Sequence, residues 1–222
     1  MKISCLSDLH GFLINKYMIP ECDLIIISGD LCPVVNHNVN FQVKWLNEDF
    51  NNWCKSLDTP VICCGGNHDW AYEKCPEKIF NKDYTYLHER GIKFKDINIF
   101  GLNWQLTFYN WAFNLPEEEL AKKWELIPDD TDIIICHGPA YGYGDLVPGQ
   151  PNYRDDDAWP QAEHVGSPSM LRKIEQVSPR LYCHGHIHSG YGSYKHNETI
   201  IVNASLLNEQ YKLVNKPIVV EI

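Results

Sequence analysis

Apolar residues along this chain fall in short unbroken runs, separated by stretches with helical spacing. Met1–Ser7 reads as a short apolar-rich strand, and Asp23–Ser28 (DLIIIS) and Pro60–Cys64 (PVICC) as buried strands, the former apolar enough to be buried on both faces. Between the second and third, Leu46, Phe50, Trp53 and Leu57 recur at three- and four-residue steps, which predicts a helix over Phe41–Leu57. Strands separated by helix-sized segments imply crossover connections and a parallel core sheet.

The second half has a different rhythm. Ile92–Gly101 alternates and turns like a hairpin, and an aromatic stretch, Trp104–Phe113, follows. Pro116, then Glu117–Glu119, then Leu120, Trp124 and Ile127 on one face predict a helix with an acidic first turn. Thr131–Cys136 (TDIIIC) reads as another buried strand, and Ser167–Pro168 opens a helix to about Val177. Short strands are expected near Arg180–Cys183, Tyr191–Lys195, Thr199–Val202 and Pro217–Ile222. Ala140–Gly166 is rich in Gly, Pro, Asp and Tyr without a period, and a loop of that length in a compact domain is usually functional or disordered. Nothing reads as a linker or internal repeat, so residues 1–222 are taken as a single domain.

Composition narrows the function classes. The 19 Lys and Arg against 29 Asp and Glu give a formal charge of -10, which argues against a nucleic-acid groove. It does not argue against a small phosphate ester, because bound divalent ions reverse the local field. The nine cysteines are odd in number and lack a CxxC pair, and several sit inside apolar runs. Reduced, buried thiols are the simplest reading. With no cationic leader and no apolar run near 18 residues, a cytoplasmic protein without membrane association is expected.

Polar residues with metal-binding chemistry follow the strands. Asp8 and His10 (SDLH), Asp30 (SGD), Asn67, His68 and Asp69 (GGNHD), His137 (CHGP), and His186 and His188 (GHIH) each lie just past an apolar run. In open α/β sheets ligands bind at the carboxyl ends of strands, so these five motifs can meet at one edge. A lone DxH or SGD is commonly a surface loop or a capped turn. GNHD and GHIH are sharper, and all five in order at strand ends are sharper still. Imidazole, carboxylate and amide ligands together suit two ions among Mn²⁺, Fe²⁺/³⁺, Zn²⁺ and Ni²⁺, about 3.5–4 Å apart and bridged by one carboxylate.

DLH, GD, GNHD, HG and GHIH together resemble the calcineurin-like metallophosphoesterase superfamily over nearly the whole chain. The resemblance implies a four-layer α/β/β/α sandwich of two mixed β-sheets flanked by helices. It assigns one metal to Asp8, His10, Asp30 and His188 and the other to Asp30, Asn67, His137 and His186, with Asp30 bridging. His68 would be the catalytic histidine and Asp69 its orienting partner. NWAFNLP, KWELIP, TDIIICHGPAYGYGDL, GHIHSGYG and VNAS…NKPIVVEI further resemble the branch of vertebrate brain-expressed metallophosphoesterase-domain phosphodiesterases and their microbial relatives. HGPA stands in place of that branch's commoner HGPP, and Pro148–Trp159 is this chain's own.

The expected reaction is hydrolysis of a small phosphodiester, such as a cyclic nucleotide, by a metal-bridging hydroxide, with His68 protonating the leaving alkoxide. A phosphomonoesterase or protein phosphatase is the alternative, and a non-catalytic scaffold a weaker one, since no ligand position is missing. Tyr141, Tyr143 and His164 are candidate substrate contacts, and Tyr153 and Trp159 share the same loop. Asp155–Asp157 reads as a solvated acidic run. His37, His88 and His196 read as surface or supporting residues. The aromatics of Trp104–Trp111 leave a homodimer surface or a pocket wall open.

Overall fold

Alternation inside the apolar runs decides how the layers stack. A computed structural model of the chain describes residues 1–80, 83–147 and 162–222. Tyr153, Trp159 and Asp155–Asp157 lie outside the described residues.

In the first sheet β1 (Lys2–Leu6), β2 (Leu24–Ser28), β3 (Val61–Cys64) and β4 (Thr85–Tyr86) pair in parallel in that order. β5 (Arg90–Phe94) and β6 (Ile97–Leu102) form the expected hairpin and open a second sheet. The aromatic stretch carries the two-residue strands β7 (Gln105–Leu106) and β8 (Asn114–Leu115). β9 (Ile133–Cys136) joins β6 in parallel. Within the aperiodic Ala140–Gly166 segment lies a small hairpin, β10 (Leu146–Val147) with β11 (Glu163–His164). β12 (Leu181–His184), β13 (Gly192–His196) and β14 (Thr199–Asn203) complete the second sheet, in the order β13-β14-β12-β9-β6-β5. The closing strand β15 (Ile218–Glu221) returns to the first sheet, antiparallel to β1. Both sheets are therefore parallel at their centres and antiparallel at an edge, which makes them mixed.

Residues of opposite parity on these strands enter different cores. Ile3, Cys5, Leu24, Ile26, Ile62 and Cys64 of the first sheet pack with Ile99, Ile133, Ile135, Leu181 and Cys183 of the second. Their neighbours Leu6, Ile25, Ile27 and Cys63 face α1 (Val39–Trp45), α2 (Asn51–Ser56) and α3 (Trp70–Lys74). Ile134, Cys136 and Tyr182 face α4 (Glu117–Trp124) and α5 (Pro168–Val177) on the far side. Helices, sheet, sheet and helices thus form four layers. The helix expected over Phe41–Leu57 is α1 and α2 joined by a π turn at Leu46–Phe50, and its apolar stripe is buried as the spacing demands.

The two sheets touch where the site forms. Past β1, Ser7 N–H donates to Ala204 O at 2.9 Å, and Leu206 N–H donates to Ser7 O at 3.0 Å. The carboxyl end of β1 is thereby tied to the segment leaving β14. All nine cysteines are unpaired thiols, and eight of them are buried.

Candidate metal centre

Five loops deliver the polar residues, each immediately after a central parallel strand. Asp8 and His10 follow β1, Asp30 follows β2, Asn67 follows β3, His137 follows β9, and His186 and His188 follow β12. Four of these seven residues have left-handed backbones: Asp8 (φ 53°), His10 (φ 44°), Asp30 (φ 51°) and His186 (φ 71°). Each such residue costs roughly 1–2 kcal/mol, so the surrounding bonds must hold it. His10 N–H donates to Asp30 O at 2.8 Å, and His186 N–H reaches the Asp8 carboxylate at 3.1 Å. Strain gathered at one spot by loops far apart in sequence is a mark of function. Glycine is needed beside it: a Cβ at Gly66 would collide with the Asp30 carboxylate, and one at Gly185 with that of Asp8.

The side chains converge as two linked clusters. On one side His10 Nε2 lies 3.3 Å from His188 Nε2 and 3.9 Å from Asp8 Oδ1, and His188 Nε2 lies 3.3 Å from Asp8 Oδ1. On the other side Asn67 Oδ1 is 2.9 Å from His137 Nε2 and 2.8 Å from His186 Nδ1. Asp30 Oδ2 stands between them, 3.6 Å from His10 Nε2 and 3.5 Å from His137 Nε2. Donor atoms about 2.1 Å from a common ion are separated by roughly 3.0–3.4 Å, and the separations here, from 2.8 to 3.9 Å, bracket that range.

The tautomers point the same way. His137 Nδ1 donates to Ser28 O at 2.9 Å and His188 Nδ1 to Asn208 O at 3.0 Å, which leaves each Nε2 as the atom facing the cluster. Lone pairs facing oxygen at such distances repel unless a cation or proton lies between them. Protons serve that purpose in the metal-free chain. Burial opposes charging His137, but the Asp30 and Asp8 carboxylates outweigh it and raise the ring to about 9. His188 is likewise opposed by burial and raised to about 9 by Asp8. Burial lowers His10 and His186 to about 3, so these rings stay neutral. Burial would raise Asp8 and Asp30, yet the imidazoles hold both below the ordinary carboxylate range. The donor set fits a pair of borderline cations.

Asp69 does not orient His68, contrary to the sequence expectation. Its buried carboxylate accepts three backbone N–H groups, from Cys32 at 2.8 Å, Gly66 at 2.8 Å and Leu31 at 3.1 Å, and so fastens the Asp30 loop to the Asn67 loop. The ring partner of His68 is His37, whose Nε2 lies 2.9 Å from His68 Nδ1. Trp111 packs against the same ring at 4.3 Å between centroids. Gln42, fully buried on α1, donates to His68 O at 2.7 Å and accepts from Ala71 N–H at 2.9 Å. His68 N–H donates to Asp30 Oδ1 at 2.8 Å, which turns Oδ2 toward the clusters. Burial lowers the His68 ring, and its Nε2 sits 4.0 Å from Asp30 Oδ2.

A cleft of about 920 Å³ opens over the clusters. Trp104, Phe108, Trp111, Tyr141, His164 and Tyr211 supply much of its wall, so the aromatic stretch forms a pocket wall. Among the described residues no Lys or Arg lines it, while Glu117, Glu163 and Glu209 do. Tyr141 and His164 face the cleft and pack together at 5.2 Å, with His164 Nδ1 held by the buried Asp145 at 2.7 Å. Tyr143 is not on that wall: its hydroxyl bonds His196 Nδ1 at 2.6 Å, so the expected substrate contact is corrected to a structural one.

The sequence reading missed several supporting residues. Ser205 Oγ donates to Asp8 Oδ2 at 2.6 Å, and Asn203 Oδ1 accepts from Ser205 N–H at 3.1 Å and lies 2.8 Å from the same Oγ. Asn203 Nδ2 bonds Gly144 O and Ile187 O, gathering two site loops. The VNAS segment was visible, but nothing in its spacing marked it as part of the site.

A family model, "Calcineurin-like phosphoesterase", matches residues 1–190. The chain belongs to the calcineurin-like phosphoesterases. That family is built on binuclear metal-dependent hydrolysis of phosphoric esters, the chemistry these clusters are able to support. Metallophosphoesterase domain-containing protein 1 of Homo sapiens is 32% identical, across 98% of this chain and 70% of its own. UPF0046 protein T07D4.2 of Caenorhabditis elegans is 25% identical, across 100% of this chain and 60% of its own. The fold is shared with TT1561 of Thermus thermophilus, at a TM-score of 0.59, 16% identity, and coverage of 91% and 88% of the two chains. Among the described residues no helix is long and apolar enough to cross a membrane.

Proposed function

We propose that the protein is a phosphodiesterase acting on a small phosphodiester, with cyclic nucleotides as a candidate class. The observation that carries this reading is the lining of the cleft, which among the described residues bears Glu117, Glu163 and Glu209 and neither Lys nor Arg. Two divalent ions held by the clusters would, with the Asp8 and Asp30 carboxylates and a hydroxide, leave the metal centre itself at about +1. That matches a phosphodiester monoanion. A phosphomonoester dianion or a phosphoprotein would need further cationic groups, yet among the described residues the wall bears glutamates and no Lys or Arg. The aromatic wall suits the two ester substituents, including a planar base.

One ion would be held by Asp8, His10, His188 and Asp30, the other by Asn67, His137, His186 and Asp30. Bound there, such ions supply Lewis acidity at phosphorus and lower the pKa of a water nucleophile. Asp30 Oδ2 faces both groups and would bridge them. His68 lies beside Asp30 at the floor of the cleft and would donate a proton to the leaving alkoxide through Nε2, since Nδ1 is engaged by His37. Phe108 on His186 and Trp111 on His68 would keep bulk water from the reacting phosphoryl group.

The test compares metal-loaded protein on bis(p-nitrophenyl) phosphate, p-nitrophenyl phosphate and a panel of cyclic and linear nucleotides. The diester is expected to be cleaved with the higher kcat/KM. A strong monoester preference would overturn the phosphodiesterase reading.

A further inference from the structure

Tyr211 is the residue whose placement the mechanism above does not use. Its ring stands 4.9 Å from His10 and 5.7 Å from His188 between centroids, nearly perpendicular to both, and 6.4 Å from His68. The other tyrosines lining the cleft have different neighbours: Tyr141 packs on His164 and Tyr109 on Phe108. Tyr211 is 39% exposed, and among the described residues its hydroxyl has no hydrogen-bond partner. A core tyrosine would be enclosed and bonded.

The backbone beneath it is built to present the ring. Tyr211 has φ 54°, a left-handed conformation that a bulky aromatic residue rarely takes. Asn208 enforces it: its side-chain oxygen accepts from Gln210 N–H and Lys212 N–H, both at 3.0 Å. The Asn208 carbonyl accepts from Tyr211 N–H at 2.8 Å and from His188 Nδ1 at 3.0 Å. One carbonyl therefore fixes both a proposed metal ligand and the tyrosine beside it. Ser189 N–H on Glu209 at 3.0 Å ties the two loops a second time. A turn needed only to support His188 would not require an aromatic residue at its strained position.

We infer that Tyr211 is a substrate-contacting residue whose phenol donates a hydrogen bond to a non-bridging phosphoryl oxygen on the His10–His188 side of the cleft. This rests on the phosphodiesterase reading above. Among the described residues no Lys or Arg lines the wall, so a neutral donor next to the clusters can grip the phosphoryl group without raising the site's charge.

The experiment uses full-length protein loaded with Mn²⁺ and compares wild type, Tyr211→Phe and Tyr211→Ala. Calorimetry with inorganic phosphate is expected to show about 10-fold weaker binding for Y211F, at unchanged metal content. Diester kcat/KM is expected to fall about 10- to 100-fold in the same variant. With Rp and Sp phosphorothioate substrates the penalty should shrink for one diastereomer only, a selectivity that a packing role would not produce. Phosphate affinity and turnover equal to wild type in Y211F, with loss confined to Y211A, would overturn the hydrogen bond and leave only a packed ring. If wild type cleaves no diester under any metal while Y211F still weakens phosphate binding, the phosphodiesterase reading fails and the tyrosine contact stands.

Discussion

His37 Nε2 lies 2.9 Å from His68 Nδ1, and His37 is exposed while His68 is buried. Imidazole to imidazole, this contact joins the floor of the cleft to solvent. If His68 protonates a leaving group, His37 both fixes its ring and offers a route for proton return. His37→Ala is expected to lower kcat about 10- to 100-fold with metal content unchanged. The loss should grow with leaving-group pKa in a series of aryl diesters. A uniform loss across the series, or loss of metal, would assign His37 to folding instead.

Asp69 gives the opposite expectation. Burial and the Asp30 charge push its carboxyl up to about 6, against three backbone N–H bonds that favour the anion. An amide has one oxygen where the carboxylate has two accepting, so Asp69→Asn leaves at least one buried N–H unpaired. A loss of about 2–4 kcal/mol in folding stability is expected, measured by urea unfolding of metal-free protein. Turnover per folded, metal-loaded molecule should change much less. Normal stability with abolished turnover would restore the orienting role that GNHD alone suggests.

The contrast between these two residues shows what a sequence can and cannot convey. Periodicity reports burial, so the strands DLIIIS, PVICC and TDIIIC and the stripe Leu46–Leu57 were legible, as were the polar clusters at strand ends. Adjacent letters also suggested that Asp69 serves His68. Direction is not written in adjacency: Asp69 turns away to three amides, while a histidine 31 positions upstream meets the ring. Tyr143 was misread for the same reason, since Gly142 and Gly144 with positive φ set the loop's course and aim that ring at His196. Ser205 and Tyr211 gave no signal because their roles come from the junction of two sheets and from an Asn208-centred turn.

Ser205 tests the importance of that junction. Its hydroxyl donates to Asp8 Oδ2 at 2.6 Å and its N–H to Asn203 Oδ1 at 3.1 Å, so it fixes the carboxylate facing His188. Ser205→Ala is expected to weaken binding of one ion about 10-fold or more while the other is retained. Metal titration followed by elemental analysis measures this, and activity should recover at high Mn²⁺. Equal loss of both ions would mean that Ser205 supports the fold of both clusters.

Metal removal should invert the response of stability to pH. In metal-free protein His137 and His188 sit at about 9, above the unfolded value of about 6.5. A raised histidine stabilises fully below the unfolded value and loses that contribution as pH rises through the folded one. Stability from this pair therefore fades between about pH 6.5 and 9. His10 and His186 are lowered to about 3, so their contribution is present above pH 6.5 and is lost as pH falls toward 3. Together the four rings place the metal-free optimum near pH 6.5. Ions at the same atoms require unprotonated rings, so metal affinity, and with it the Tm of loaded protein, should climb over the range where the metal-free Tm declines. Thermal melts from pH 5 to 9, with excess Mn²⁺ and with a chelator, are expected to give diverging curves above pH 6.5. Parallel curves would mean that protons and ions do not compete for His137 and His188, and the two-cluster assignment of ligands would fall with that result.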